Sequence, residues 1–127
     1  PYIFDRLPYD PVQSFRPISL LAKVPSLYVV RPELPVKNLK ELIAYARKPE
    51  NKVAYGSAGY GTGLHLRSAL FSAKSGAAMV HVPYKGAGPA ITALMAGEVQ
   101  VMFVTTTAAL QLVETDRPDM APWSKEV

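Results

Sequence analysis

A chain of 127 residues, 49% hydrophobic and 19% charged, has the length of one packed domain and too much apolar content for a disordered tail. Its net charge of +4 is scattered: Lys37, Lys40, Arg47, Lys48 and Lys52 are interrupted by apolar positions, and no basic–aromatic array of the kind that tracks nucleic acid is visible. The lack of cysteine excludes disulfides, zinc–thiolate sites and thiol catalysis, and no apolar run reaches membrane-spanning length.

Residues 1–16 carry Pro1, Pro8 and Pro11, with Pro17 next, and read as an extended lead-in. The opening Pro1-Tyr2, without signal peptide or initiator Met, reads as a mature product or an excised fragment. Ile18 to Val24 predicts a strand and Ser26 to Arg31 (SLYVVR) a second, rich in β-branched and aromatic residues. Asn38-Leu39-Lys40-Glu41 resembles a capping box, and Leu39, Leu42, Ile43 and Ala46 continue at helical spacing until Pro49.

Lys52 to Gly56 predicts a short strand, and GSAGYGTGLH, Gly56 to His65, follows it. From Thr62 a stripe of Leu66, Ala69, Leu70 and Ala73 runs to a closing Gly76. Ala78 to Val82 is the next strand, Pro83 to Gly88 a second glycine-rich loop, and Pro89 stands in the first turn of a helix ending at Gly97. Val99 to Val104 reads as a buried parallel strand, and Thr105 to Thr107 cap a last helix through Leu110, Leu112 and Val113. This alternation predicts an α/β fold, a mostly parallel sheet flanked by helices, over residues 17–115. Residues 116–127 are polar, without period, and read as a loosely ordered tail.

In such a sheet ligands bind beyond the carboxyl ends of the strands. Three loops start there: Gly56–Gly61, Pro83–Gly88 and Thr105–Thr107. The first has the GxxxxG spacing of a P-loop, but Thr62 stands where the phosphate-binding lysine belongs. It also fails the dinucleotide pattern GxGxxG, because Leu64 follows Gly59 and Gly61 at the third position. What remains is either a tight turn needing positive φ, or free N–H groups at a helix N-terminus suited to a carboxylate. Ser57 and Thr62 add hydroxyls, and His65 lies one turn after Thr62.

Other chemistry is poorly supported. His81, in a predicted strand, reads as structural, and the two histidines lack the spacing of a metal site. Ser57 and Ser68 have no nucleophile elbow around them, and Tyr84-Lys85 reads as recognition or surface. No cofactor is implied.

Four motifs in order resemble one family: Leu7-Pro8-Tyr9-Asp10-Pro11-Val12; Val53-Ala54-Tyr55-Gly56-Ser57-Ala58-Gly59 with Gly61-Thr62 and His65; His81-Val82-Pro83-Tyr84-Lys85-Gly86; and Gly97-Glu98-Val99-Gln100 before Met102-Phe103. Together, from about Leu7 to about Thr115, they are similar to the TctC or Bug family, periplasmic solute-binding proteins of tripartite tricarboxylate transporters. The resemblance implies one lobe of a type II periplasmic binding protein, no enzymatic activity, and a small carboxylate as ligand: a di- or tricarboxylic or an aromatic acid. It implies membrane transporter subunits as partners. The ligand residues it implies are Ser57, Ala58, Gly59, Gly61, Thr62 and His65, with Tyr84 and Thr105 on the flanking loops.

Two departures qualify that picture. The family's first-domain loop is absent, so the chain resembles the second domain alone, and its uncovered apolar surface favours a homodimer or domain exchange. Val104 and Thr105 stand where the family commonly carries an acid and an asparagine, which favours a plain carboxylate over an amino acid. The alternative function is an interaction or dimerisation module derived from the lobe that has lost ligand binding.

Overall fold

The computed structural model describes residues 6–114, with side-chain surroundings as far as residue 110. The tail expected at 116–127 and the first residues of the lead-in lie outside that range. Eight elements follow in order: β1 (Ser26–Val30), α1 (Leu39–Ala46), β2 (Val53–Ser57), α2 (Gly63–Ser75), β3 (Met79–Pro83), α3 (Ala87–Ala96), β4 (Val101–Thr105) and α4 (Thr106–Glu114). The sheet order is β1-β4-β2-β3. β2 runs parallel to both β3 and β4, whereas β1 pairs antiparallel with β4 from Ser26↔Thr105 to Val30↔Val101. The expected α/β class with a mostly parallel sheet is the one found.

The strand expected over Ile18–Val24 does not form. Ile18, Leu20, Leu21 and Val24 are 99%, 71%, 94% and 58% exposed, so these side chains have no face to cover. β-propensity needs a ladder partner and packing before it yields a strand, and this segment has neither among the described residues.

Local chemistry explains the elements that do form. The Asn38 side chain accepts from the Glu41 N–H at 3.0 Å. The Glu41 carboxylate accepts from the Lys37 N–H at 2.7 Å and from Asn38 Nδ2 at 2.8 Å, so the box closes one residue earlier than its usual form. α2 stops at Gly76, which takes the left-handed conformation. Arg47 Nε donates to the Ser75 carbonyl at 2.9 Å, placing a cation at the negative end of α2.

Two apolar clusters sandwich the sheet. One joins Met102 and Val104 of β4 to Ala90, Ala93 and Leu94 of α3; the other joins Val53, Tyr55 and Val101 to Leu42 and Ala46 of α1. Full burial of Leu42 and Leu94 contributes about 1.5–3 kcal/mol each. Gly56 lets β2 pack closely under the connection from α3 to β4: a Cβ there would meet the Val99 side chain at 3.2 Å. Gln100 fixes β2 against the start of β4 by exchanging bonds with Ala54, N–H to carbonyl at 3.0 Å and Ala54 N–H to Oε1 at 2.9 Å.

Candidate functional site

The parallel register puts the carboxyl ends of β3, β2 and β4 side by side along one sheet edge, with β2 in the middle. The turn between Ser57 and Gly63 therefore leaves from the centre of that edge. Gly59 and Gly61 take φ of 125° and 75°, values that L side chains rarely adopt, which accounts for glycine at both positions. Thr62 is the N-cap of α2: its hydroxyl oxygen accepts from the His65 N–H at 3.4 Å and its proton goes to the Gly59 carbonyl at 2.8 Å. Within the described residues the N–H groups of Ala58, Tyr60, Gly63 and Leu64 take no acceptor. The last two begin the helix, where the backbone carries partial positive charge.

The second loop is tied to the first. The Tyr84 N–H donates to the Ser57 carbonyl at 3.0 Å and the Gly86 N–H to the Ala58 carbonyl at 3.3 Å. The Tyr84 hydroxyl donates to Glu98 at 3.1 Å; burial, then this carboxylate, hold its pKa above the ordinary tyrosine value. Thr105 ends β4, beside β2, and its hydroxyl pairs with that of Thr107 at 3.2 Å rather than with the turn. Of the eight candidates, seven are thus joined by hydrogen bonds or by the turn itself, and Thr105 lies one strand away.

Ser57 is fully buried. Its hydroxyl sits 2.6 Å from His81 Nε2, accepts from the Gly59 N–H at 3.2 Å and lies 3.2 Å from the Gly59 carbonyl. One assignment satisfies all three contacts: Nε2–H donates to Ser57, and Ser57 donates to the Gly59 carbonyl. Ser57 therefore shapes the turn from beneath. His81 stacks on Tyr55, with centroids 4.9 Å apart, and on His65, 4.1 Å apart; Tyr60 stands edge-on to both histidines. His81 Nδ1 is buried without a partner. Burial, reinforced by His65, holds the His81 pKa below its ordinary value.

Sequence reasoning set His81 aside as structural and did not single out Tyr60 or Arg67. Strand alternation was the available signal for His81: in a parallel pair it shares a face with Tyr55 and Ser57, its register partner and that partner's i+2 neighbour. Arg67 of α2 lies over the Phe103 ring at 5.6 Å and donates to Ser26 at 2.6 Å, placing a guanidinium near the same edge. An open depression of about 520 Å³ lined by Arg31, Glu33, Lys52 and Gln100 lies at the opposite end of β4 and β2, away from the ligand edge of such sheets.

The glycine turn of this α/β sheet thus presents free N–H groups at a helix start, and no lysine stands where a nucleotide-binding loop carries one. The chain belongs to the tripartite tricarboxylate transporter receptor family: residues 1–119 match that family, TctC. The family's description is of a transport receptor rather than an enzyme. A relative from Pseudomonas sp. strain P51, the UPF0065 protein of the tcbD-tcbE intergenic region, is 35% identical over 116 residues, covering 91% of this chain and 34% of the relative. Rpa4515 of R. palustris, solved with adipate, superposes with a TM-score of 0.77 at 32% identity, over 94% of this chain and 40% of that one. MatC (Rpa3494) of Rhodopseudomonas palustris, solved with bound malate, gives 0.72 at 27% identity, over 95% and 40%. The chain spans about a third of the length of the sequence relatives it matches. No helix among the described residues is long and apolar enough to cross a membrane.

Proposed function

We propose that this chain is one lobe of a periplasmic receptor for a small carboxylate, serving a tripartite tricarboxylate transporter whose membrane subunits are its partners. The turn from Ala58 to Thr62 and the start of α2 form the wall that takes the carboxylate. The observation that carries this reading is the pair of left-handed glycines, Gly59 and Gly61, which shape a turn whose free N–H groups lead into a helix N-terminus. Ser57, Thr62 and Tyr84 brace the turn, Arg67 adds positive potential, and Thr105 flanks it on β4. The adipate and malate in the two structural neighbours support a plain carboxylate as ligand. No cofactor, metal or nucleic acid is part of this reading. Calorimetry with malate and adipate on the wild type and on Thr62→Ala tests it: weaker binding by the variant supports the assignment, and equal binding refutes it.

One observation favours a second reading. Ile18 and Leu21 are almost wholly exposed, which suits a module that covers them with a second copy of the chain. Sedimentation of the wild type and of Leu21→Lys distinguishes the readings: a concentration-dependent dimer lost in the variant, together with no carboxylate binding, favours the interaction module.

A further inference from the structure

The contact between the turn and the stacked histidines runs through one atom. The Gly61 N–H donates to His65 Nδ1 at 3.1 Å. An imidazole nitrogen accepts only while it carries its lone pair, so this bond requires neutral His65 with its proton on Nε2. One wall of the turn is thus fastened by a group that a proton disables.

His81 cannot take that proton as readily. Its Nε2 is engaged with Ser57 at 2.6 Å, and its Nδ1 is buried with no partner to stabilise a new N–H. The titratable groups facing the pair are Tyr55 from β2, Tyr60 from the turn, and each imidazole for the other. Among the described residues neither histidine forms an ion pair with a carboxylate. Two imidazolium rings at 4.1 Å would repel, so the stack accommodates one proton beyond the N–H that each neutral ring carries.

We infer that the turn binds its carboxylate together with one proton, taken up at His65 Nδ1, and that this proton switches the turn from a closed to an anion-accepting form. This rests on the carboxylate reading above and assigns its regulation. A solvent proton forms the Nδ1–H bond with the lone pair that had held Gly61. The Gly61 N–H is released to the carboxylate, and the His65 ring, now cationic, sits one turn from it. His81 stays neutral, keeps Ser57 in place and spreads its ring beneath the charge.

Two measurements test the inference. The first needs no ligand: an NMR titration of the chain from about pH 8 to about pH 5.5 follows the histidine ring protons and the Gly61 amide. The Gly61 amide shifts with the same midpoint as the His65 ring, and His65→Asn, which offers a neutral acceptor, abolishes that shift. A Gly61 amide indifferent to His65 titration overturns the inference and leaves the carboxylate site standing.

The second is malate calorimetry at about pH 8 and about pH 6, each in two buffers of different ionisation enthalpy. Malate should bind about fivefold tighter at the lower pH, with net proton uptake, and in His65→Asn the ratio of the two Kd values should fall to about one. Binding without pH dependence or proton uptake overturns the linkage alone. The absence of malate binding at both pH values overturns the carboxylate reading and the linkage with it.

Discussion

His65 and His81 lie face to face, centroids 4.1 Å apart and 18° from parallel, one at the start of α2 and the other within β3. Through His65 the stack holds Gly61, and through His81 it holds Ser57 and hence Gly59. Two positions of the glycine turn therefore depend on one pair of rings.

Stability should fall on acidification because of His81. Its folded pKa lies below the ordinary value of about 6.5, so the unfolded chain binds more protons. The contribution is complete above that value and is lost as the pH falls through the window down to the lowered folded pKa. Urea unfolding at stepped pH should show this slope, and His81→Gln should flatten it.

Gly59→Ala should cost about 1–3 kcal/mol, because alanine must adopt φ of 125° and its Cβ would lie 3.4 Å from the Tyr84 carbonyl oxygen. Gly63→Ala is the matched comparison. Nothing lies within 4 Å of its Cβ, and alanine is the better helix former, so that change should be neutral or stabilising by up to about 1 kcal/mol. Denaturant midpoints of the two variants check the contrast.

Removing the N-cap hydroxyl in Thr62→Ala should destabilise the chain by about 1 kcal/mol, and Thr62→Ser should recover most of it. The serine variant keeps both the bond from His65 and the bond to Gly59, so it should also retain malate binding better than the alanine variant. Thermal unfolding and calorimetry on the same samples separate the cap from the ligand.

Much of this was legible in the residues. The capping box at Asn38, the stops at Gly76 and Gly97, and the alternation of elements rest on local chemistry, and each has its counterpart in the fold. Ile18–Val24 was misread because its apolar, β-branched character is local while a strand partner is not. The pairing of His65 with His81 was hidden for the same reason: it depends on Tyr55 and His81 being register partners, which only the assembled sheet establishes. Ser57 reads in the sequence as a hydroxyl of the turn, and strand alternation places it under the loop toward His81.

The turn between β2 and α2 is the proposed seat of the carboxylate. An amide-resolved NMR titration with malate tests it most directly, since it reads weak binding and locates it at once. The largest shifts should fall on Ala58, Gly59, Gly61, Gly63, Leu64 and His65. Shifts confined to other parts of the sheet, or no shifts at all, would contradict it.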